Sequence, residues 1–268
     1  MDVPTVANGL PALGLGTYKN KGAQATESVE TALEMGYRHI DTATYYENEA
    51  AVGAGIEASS VPREEIIVAT KLWYDDLAGD DVVPAAKASL GRLDLDSVDL
   101  LYVHWPAGNY DAEATMAAFN DLYDEGLVDN VAVSNFTPGQ VATAQDHSDA
   151  PIVANQVECH PLLQQDELRA YCEAEDVAVV AYAPIARGNV ADVPELTDIA
   201  QKHDASEVQV SLAWLRQHEI AAIPKATSEA HIRANWESQD LALDEEDMAA
   251  IDELDYDERL IDPGFAAW

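Results

Sequence analysis

Ile66-Ile67-Val68-Ala69-Thr70-Lys71 is a short, β-rich apolar run that ends on a charged residue. The same figure returns at Val98-Asp99-Leu100-Leu101-Tyr102-Val103-His104, and again where Val128 to Val133 leads into Ser134. Outward from these three, Ile40 leads into Asp41, and Ile152 to Val157 carries Gln156. Val177 to Ala181 leads into Tyr182, and Ile220 to Ile223 leads into Pro224-Lys225. With Leu13-Gly14-Leu15-Gly16 as the first, the chain holds eight strand-like runs. Helical patterns lie between them. Gln24 to Met35 stops at Gly36, a natural C-terminal cap, and the segment through Leu122 to Glu125 stops at Gly126. Asp166 to Ala174 and Val208 to Leu215 place apolar residues at helical spacing. Eightfold strand–helix alternation predicts a parallel (β/α)8 TIM barrel of the α/β class. An open doubly wound sheet is the alternative, and no Gly-x-Gly-x-x-Gly follows any run to support it. Val3 to Val6, Asn8-Gly9 and Leu10 to Leu13 read as an N-terminal β-hairpin with a type I′ turn, placed to close the barrel bottom.

No linker or biased tract divides the chain, so a single domain over residues 1–268 is expected. Such barrels commonly fill about 250 residues. No apolar stretch reaches the roughly 18 residues of a membrane span. The start, Met1-Asp2-Val3-Pro4, lacks the basic and apolar regions of a signal peptide. Cys159 and Cys172 are too few for a disulfide framework and read as reduced thiols, which points to the cytoplasm. There are 50 Asp and Glu against 14 Lys and Arg, a formal charge of −36. Nucleic acid is thereby an unsuitable partner, since phosphates need a basic surface. The acids are dispersed, and molar salt shortens the screening length to about 3 Å. The composition therefore predicts a halophilic protein of a saline cytoplasm. A monomer is the default expectation.

In a barrel the C-terminal ends of the strands converge on one face, where the βα loops build the active site. Asp41, Tyr46, Lys71 and His104 then belong to one pocket, roughly one per βα unit. Each alone says little: a buried Lys can be a structural ion pair, a Tyr at a strand end can be core, and a buried Gln can satisfy backbone groups. Glu158-Cys159-His160 invites a metal reading, but no further ligand stands at a matching spacing, so no metal is expected.

Asp41-Thr42-Ala43-Thr44-Tyr45-Tyr46-Glu47-Asn48-Glu49 resembles the signature of the aldo-keto reductase family. So do Lys71, His104-Trp105-Pro106, Ser134-Asn135-Phe136, Asn155-Gln156-Val157-Glu158 and Ile223-Pro224-Lys225. The likeness runs in family order from Gly14 to about Asn235 and is to the short prokaryotic type, the diketogluconate and aldehyde reductases. It implies NAD(P)H-dependent reduction of a small carbonyl compound. Tyr46 would be the proton donor, Lys71 and Asp41 would tune it, and His104 would orient the carbonyl. A free tyrosine titrates near 10, and a neighbouring ammonium is expected to lower that value. Family spacing, five residues after Asp41, selects Tyr46 over the adjacent Tyr45.

By the same resemblance Tyr182 stacks on the nicotinamide, and Ser134, Asn135 and Gln156 bind its carboxamide. Arg187, in the loop from Ala183 to Asn189, passes the diphosphate; Ala183 stands where the family often has Ser. Lys225 keeps the family's phosphate-binding lysine. Ala226 replaces its Ser, His231 its Arg, and Ala234 a carboxylate near the adenine, while Asn235 is kept. Thr227, Ser228 and Arg233 are the groups left to compensate. NADP(H) is therefore expected to be preferred, weakly, with NAD(H) also used. Tyr18, Trp73 and Trp105 are expected to line the substrate mouth. The short loop from Ala107 to Asp111 and the few residues after Pro263-Gly264 suggest an open, permissive one. Small aldehydes, ketoaldehydes, sugars and diketo-sugar acids all stay open as substrates. Two other functions stay open as well. One is a non-catalytic nucleotide-sensing barrel, and the other is a metal-dependent hydrolase using Asp41, His104 and His160.

Overall fold

Eight parallel strands hydrogen-bond in strict sequence order, and the structure that shows them, a computed structural model, describes residues 3–268. Met1 and Asp2, where the leader reading begins, lie outside the described residues. The strands are β1 (Leu15–Gly16), β2 (His39–Asp41), β3 (Ile67–Leu72), β4 (Val98–Val103), β5 (Val128–Ser134), β6 (Ile152–Glu158), β7 (Ala178–Tyr182) and β8 (Ala221–Ala222). Helices α1 (Gly22–Met35), α2 (Glu49–Ala58), α3 (Gly79–Leu93), α4 (Ala112–Asp124), α5 (Pro138–His147) and α6 (Asp166–Ala174) follow the first six strands in turn. Helices α7 (Pro194–Lys202) and α8 (Glu207–Gln217) separate β7 from β8, and α9 (Glu229–Glu237) and α10 (Glu245–Asp252) complete the ring.

Strand alternation sorts the side chains into two cores. Val68, Leu101, Val103, Val131, Val133 and Val179 face outward into the layer shared with the helices. Ala69, Leu100, Tyr102, Ala132, Ala154, Ala178, Val180 and Ala221 face inward and fill the barrel. Followed upward in steps of two, that inward parity reaches Asp41, Lys71, His104, Ser134, Gln156 and Tyr182. The same pleat that builds the core thus delivers the polar residues to its C-terminal end.

The first and last strands are shorter than their sequence runs. The seam between them is completed by bridges Leu13–Ala222 and Gly16–Lys225 and by Gly16 N donating to Pro224 O at 3.2 Å. A Cβ on Gly16 would lie 2.5 Å from Ile223 O, so only glycine lets the seam close. The N-terminal hairpin is reduced to one antiparallel bridge, Thr5–Pro11, around a short 3-10 turn. Its central residues do have positive φ, Asn8 at 56° and Gly9 at 71°, as a type I′ turn requires. Asn8 Nδ2 donates to Val153 O and Asp176 O at the starts of β6 and β7, and Val6, Leu10 and Ala12 join the inner core. The turn therefore sits on the barrel floor. Cys159 and Cys172 are both buried and free. No helix is long and apolar enough to cross a membrane among the described residues.

Candidate active site

At the top of β2 and β3 lies a buried ion pair. Lys71 Nζ donates to Asp41 Oδ1 at 2.5 Å and to Thr42 O at 2.8 Å, and neither side chain is more than 1% exposed. Asp41 Oδ2 accepts from Gln156 Nε2 at 2.8 Å, so the carboxylate is held from both sides of the barrel. Two charges leave water at less cost when neighbouring groups bond them, as Thr42 O does for Lys71 and Gln156 for Asp41. Burial pulls the Lys71 ammonium down, while its bond to Asp41 pushes it back.

Tyr46 closes a 3-10 turn, Thr44–Tyr46, that ends at Glu47 with φ 51°. Asn48 fixes that turn: it accepts from Thr42 Oγ1 and donates to Thr17 O and Asn20 O. The same bonds bring the loop after β1 alongside, so Tyr18 packs 5.1 Å from Tyr46 between ring centres. Lys71 Nζ is 5.2 Å from the centre of the Tyr46 ring, and His104 meets that ring edge-on at 5.8 Å. Tyr45 points elsewhere. It is 52% exposed and stacks on Trp73 at 4.0 Å.

The electrostatics differ from the sequence expectation. Burial raises the Tyr46 hydroxyl well above its ordinary range, and Asp41 adds to the effect. The lowering expected from Lys71 does not appear: burial dominates, and Asp41 adds to it. Burial, then Lys71, holds His104 well below the usual histidine range, so its ring is neutral. His104 Nδ1 is buried without a partner, leaving Nε2 as the nitrogen open to the mouth. A bare lone pair is a cheaper orphan than an N–H, which places the proton on Nε2.

Beside this group the ends of β5, β6 and β7 are tied together. Ser134 Oγ donates to Gln156 O, Asn135 Nδ2 to His104 O and to Ser134 Oγ, and Tyr182 Oη to Asn135 Oδ1 at 2.8 Å. Asn135 adopts φ 65°, which turns its side chain back into the network. The Tyr182 ring is thus pinned at its hydroxyl and stays partly exposed. Arg187 lies exposed in the loop after β7, and Lys225 lies exposed after β8. His231 is exposed on the first turn of α9, whose N-cap is Ser228, and Asn235 is buried one turn on. Arg233 does not turn toward Lys225: it pairs with Glu229 on its own helix at 2.8 Å. Among the described residues, Lys19, Arg187, Arg216, Lys225 and Arg259 have no carboxylate partner; all but Arg216, which ends α8, lie in connections at the C-terminal end of the barrel.

The mouth is less open than expected. The chain after α10 crosses it, because Glu158 Oε1 and Oε2 accept from the backbone N–H groups of Leu260 and Ile261 at 2.8 and 2.9 Å. His160 Nε2 holds Glu158 Oε1 at 3.0 Å, and both side chains are fully buried. Burial alone would raise Glu158, but these hydrogen bonds keep its carboxyl below the usual range. Phe265 and Trp268 then pack on Trp105 at 5.2 and 5.4 Å. Trp105 is only 6% exposed, so it backs the wall instead of forming it; the tail aromatics, each 40% exposed, present the surface. Sequence reading missed this tail. Its one available signal was Glu158, which shares the inward parity of Gln156.

A family model described as the aldo/keto reductase family matches residues 5–256. Over 252 residues the chain is 41% identical to a glyoxal reductase of Bacillus subtilis (strain 168), covering 94% of this chain and 91% of that one. It is 39% identical to the methylglyoxal reductase DkgB of Salmonella typhi, covering 97% and 99%. A solved structure of an aldo-keto reductase enzyme from a Medee basin deep-sea metagenome library superposes with a TM-score of 0.92. That enzyme is 38% identical, with 97% of each chain covered.

Proposed function

Because the chain belongs to the aldo/keto reductase family and is an oxidoreductase, we propose that it reduces small aldehydes and ketones to alcohols with Tyr46 as proton donor. The observation that carries the reading is the position of Tyr46 against the buried Lys71–Asp41 pair, in T-shaped contact with a neutral His104. The nicotinamide dinucleotide, when bound, supplies the hydride. Tyr46 Oη gives its proton to the carbonyl oxygen as negative charge develops there, and Lys71 offsets the tyrosinate left behind. His104 Nε2–H donates to the same oxygen and sets its direction.

The residues present fit the dinucleotide. The pinned face of Tyr182 suits a flat ring, the amides of Asn135 and Gln156 with Ser134 suit a carboxamide, and unpaired Arg187 and Lys225 suit phosphates. His231 and Asn235 extend that site along α9. Lys225 favours NADP(H), and the missing serine and arginine make the preference weak. Tyr18, Trp73 and the tail aromatics bound the carbonyl site. The relatives' names point to small dicarbonyl compounds as the substrate class. The metal-hydrolase alternative is disfavoured because His160 Nε2 is committed to Glu158. We also read the −36 charge as adaptation to a saline cytoplasm.

Tyr46→Phe keeps the ring and removes the proton. It is expected to lower kcat at least ~100-fold, the low end for general acid catalysis, with cofactor affinity unchanged. Tyr45→Phe is expected to stay within a few-fold. An inactive Tyr45→Phe beside an active Tyr46→Phe would overturn the assignment.

A further inference from the structure

Arg259 is an arginine without an anion. It stands in an acidic stretch, with Asp257, Glu258 and Asp262 near in sequence, yet no carboxylate of the described residues lies within 4.0 Å of it. One guanidinium nitrogen, Nη1, is buried with no hydrogen-bond partner. A half-buried guanidinium with a buried nitrogen left unpaired carries a desolvation cost.

The group is also held in place. Its backbone neighbours are fixed on both sides: Glu258 N donates to Leu162 O, and Leu260 and Ile261 donate to Glu158. Its guanidinium lies 4.1 Å from the centre of the Trp268 ring, which satisfies one face but none of the in-plane N–H donors. Trp268 in turn rests on Trp105, the residue after His104. A planar fork of donors is thus held on the Trp268 ring, beside the wall that Trp105 backs.

We infer that Arg259 recognises an oxyanion on the incoming ligand, a carboxylate carried by the carbonyl substrate. This rests on the reductase reading and adds a specificity residue to it. The planar fork suits a carboxylate in two-point contact, and an arginine on an aromatic face loses little freedom on binding. With a molecular charge of −36, an anionic substrate is repelled by the protein as a whole, so a local cation is what admits it.

The test compares benzaldehyde with 4-carboxybenzaldehyde in the holoenzyme at fixed KCl. Turnover of benzaldehyde by the wild type tests the reductase reading by itself. Arg259→Met is expected to lower kcat/KM for 4-carboxybenzaldehyde about tenfold or more through KM, the scale of one charge-assisted contact, and to leave benzaldehyde within about twofold. Arg259→Lys keeps the charge and is expected to recover part of the discrimination. Quenching of protein fluorescence by NADPH is expected to give the same Kd in all three proteins. Equal losses for the two aldehydes would make Arg259 a prop for the tail and overturn the inference. So would an unchanged ratio accompanied by weaker NADPH binding, which would give the guanidinium to the cofactor's diphosphate instead.

Discussion

Single residues divide into those whose neighbours determine them and those left free for a ligand. Asp41 and Lys71 are committed to each other, whereas Lys225 is exposed and unpaired among the described residues. That contrast bears on which nicotinamide is used. The extra phosphate of NADP carries about two charges, and one exposed lysine in salt offers little attraction. NADPH is expected to be favoured over NADH in kcat/KM by less than about tenfold, or roughly 1.4 kcal/mol. Lys225→Ala is expected to bring the ratio to near one while NADH kinetics hold steady. A ratio that ignores the substitution would remove Lys225 from the phosphate site. Residue chemistry was legible in the sequence where one position in each βα unit carried it, as Asp41, Lys71 and His104 do. It was not legible where an effect depends on a sum of fields. Lys71 beside a tyrosine reads as a pKa-lowering cation until the structure buries that tyrosine and sets Asp41 beside the pair.

Strands were legible as elements because their inward and outward parities both recur. β4 coincides with its predicted run, whereas β1 and β8 shrink to two residues each. Those two meet at a seam of isolated bridges, where the pattern of apolar residues persists but the ladder does not. The tail after α10 was illegible for another reason. Its position comes from β6, about 100 residues earlier in sequence, through hydrogen bonds to backbone amides that leave no trace in side-chain pattern. That arrangement makes a prediction about the tail as a unit. Glu158→Gln replaces one of two acceptors with a donor that faces a backbone N–H, losing a buried charge-assisted contact worth roughly 1.5–3 kcal/mol. The tail is expected to loosen first, because few other bonds hold it. Cleavage after residue 257 in limited proteolysis is expected to speed up, and KM for benzaldehyde is expected to rise several-fold with kcat nearly unchanged. If the global melting midpoint falls while the tail stays protected, Glu158 supports the barrel and not the mouth.

The whole molecule is governed by its charge. Its 14 basic residues cannot neutralise 50 carboxylates, and the pairs Lys21–Glu47, Lys87–Glu125, Lys202–Asp244 and Arg233–Glu229 are solvent-exposed, of the kind worth about 0–1 kcal/mol each. The buried pair Lys71–Asp41 is local and leaves the surface field untouched. Stability is therefore expected to depend on the solvent to screen repulsion among dispersed acids. The screening length falls from about 10 Å at 0.1 M salt to about 3 Å at 1 M, which takes it below the spacing of most surface charges. The thermal midpoint is expected to climb steeply between those concentrations and then level off, since repulsion already screened cannot be screened again. Sodium and potassium chloride are expected to act alike, because the effect is one of ionic strength. Sucrose at equal osmolality is expected to raise the midpoint less, for it strengthens burial without touching the charges. Screening must also weaken any attraction at the mouth. The advantage of 4-carboxybenzaldehyde over a neutral aldehyde is therefore expected to shrink over the same salt range in which the fold gains stability. A midpoint that stays flat from 0.1 M to above 1 M KCl would mean that the core and helices carry the fold without help, and the reading of its acidity as adaptation to salt would be wrong.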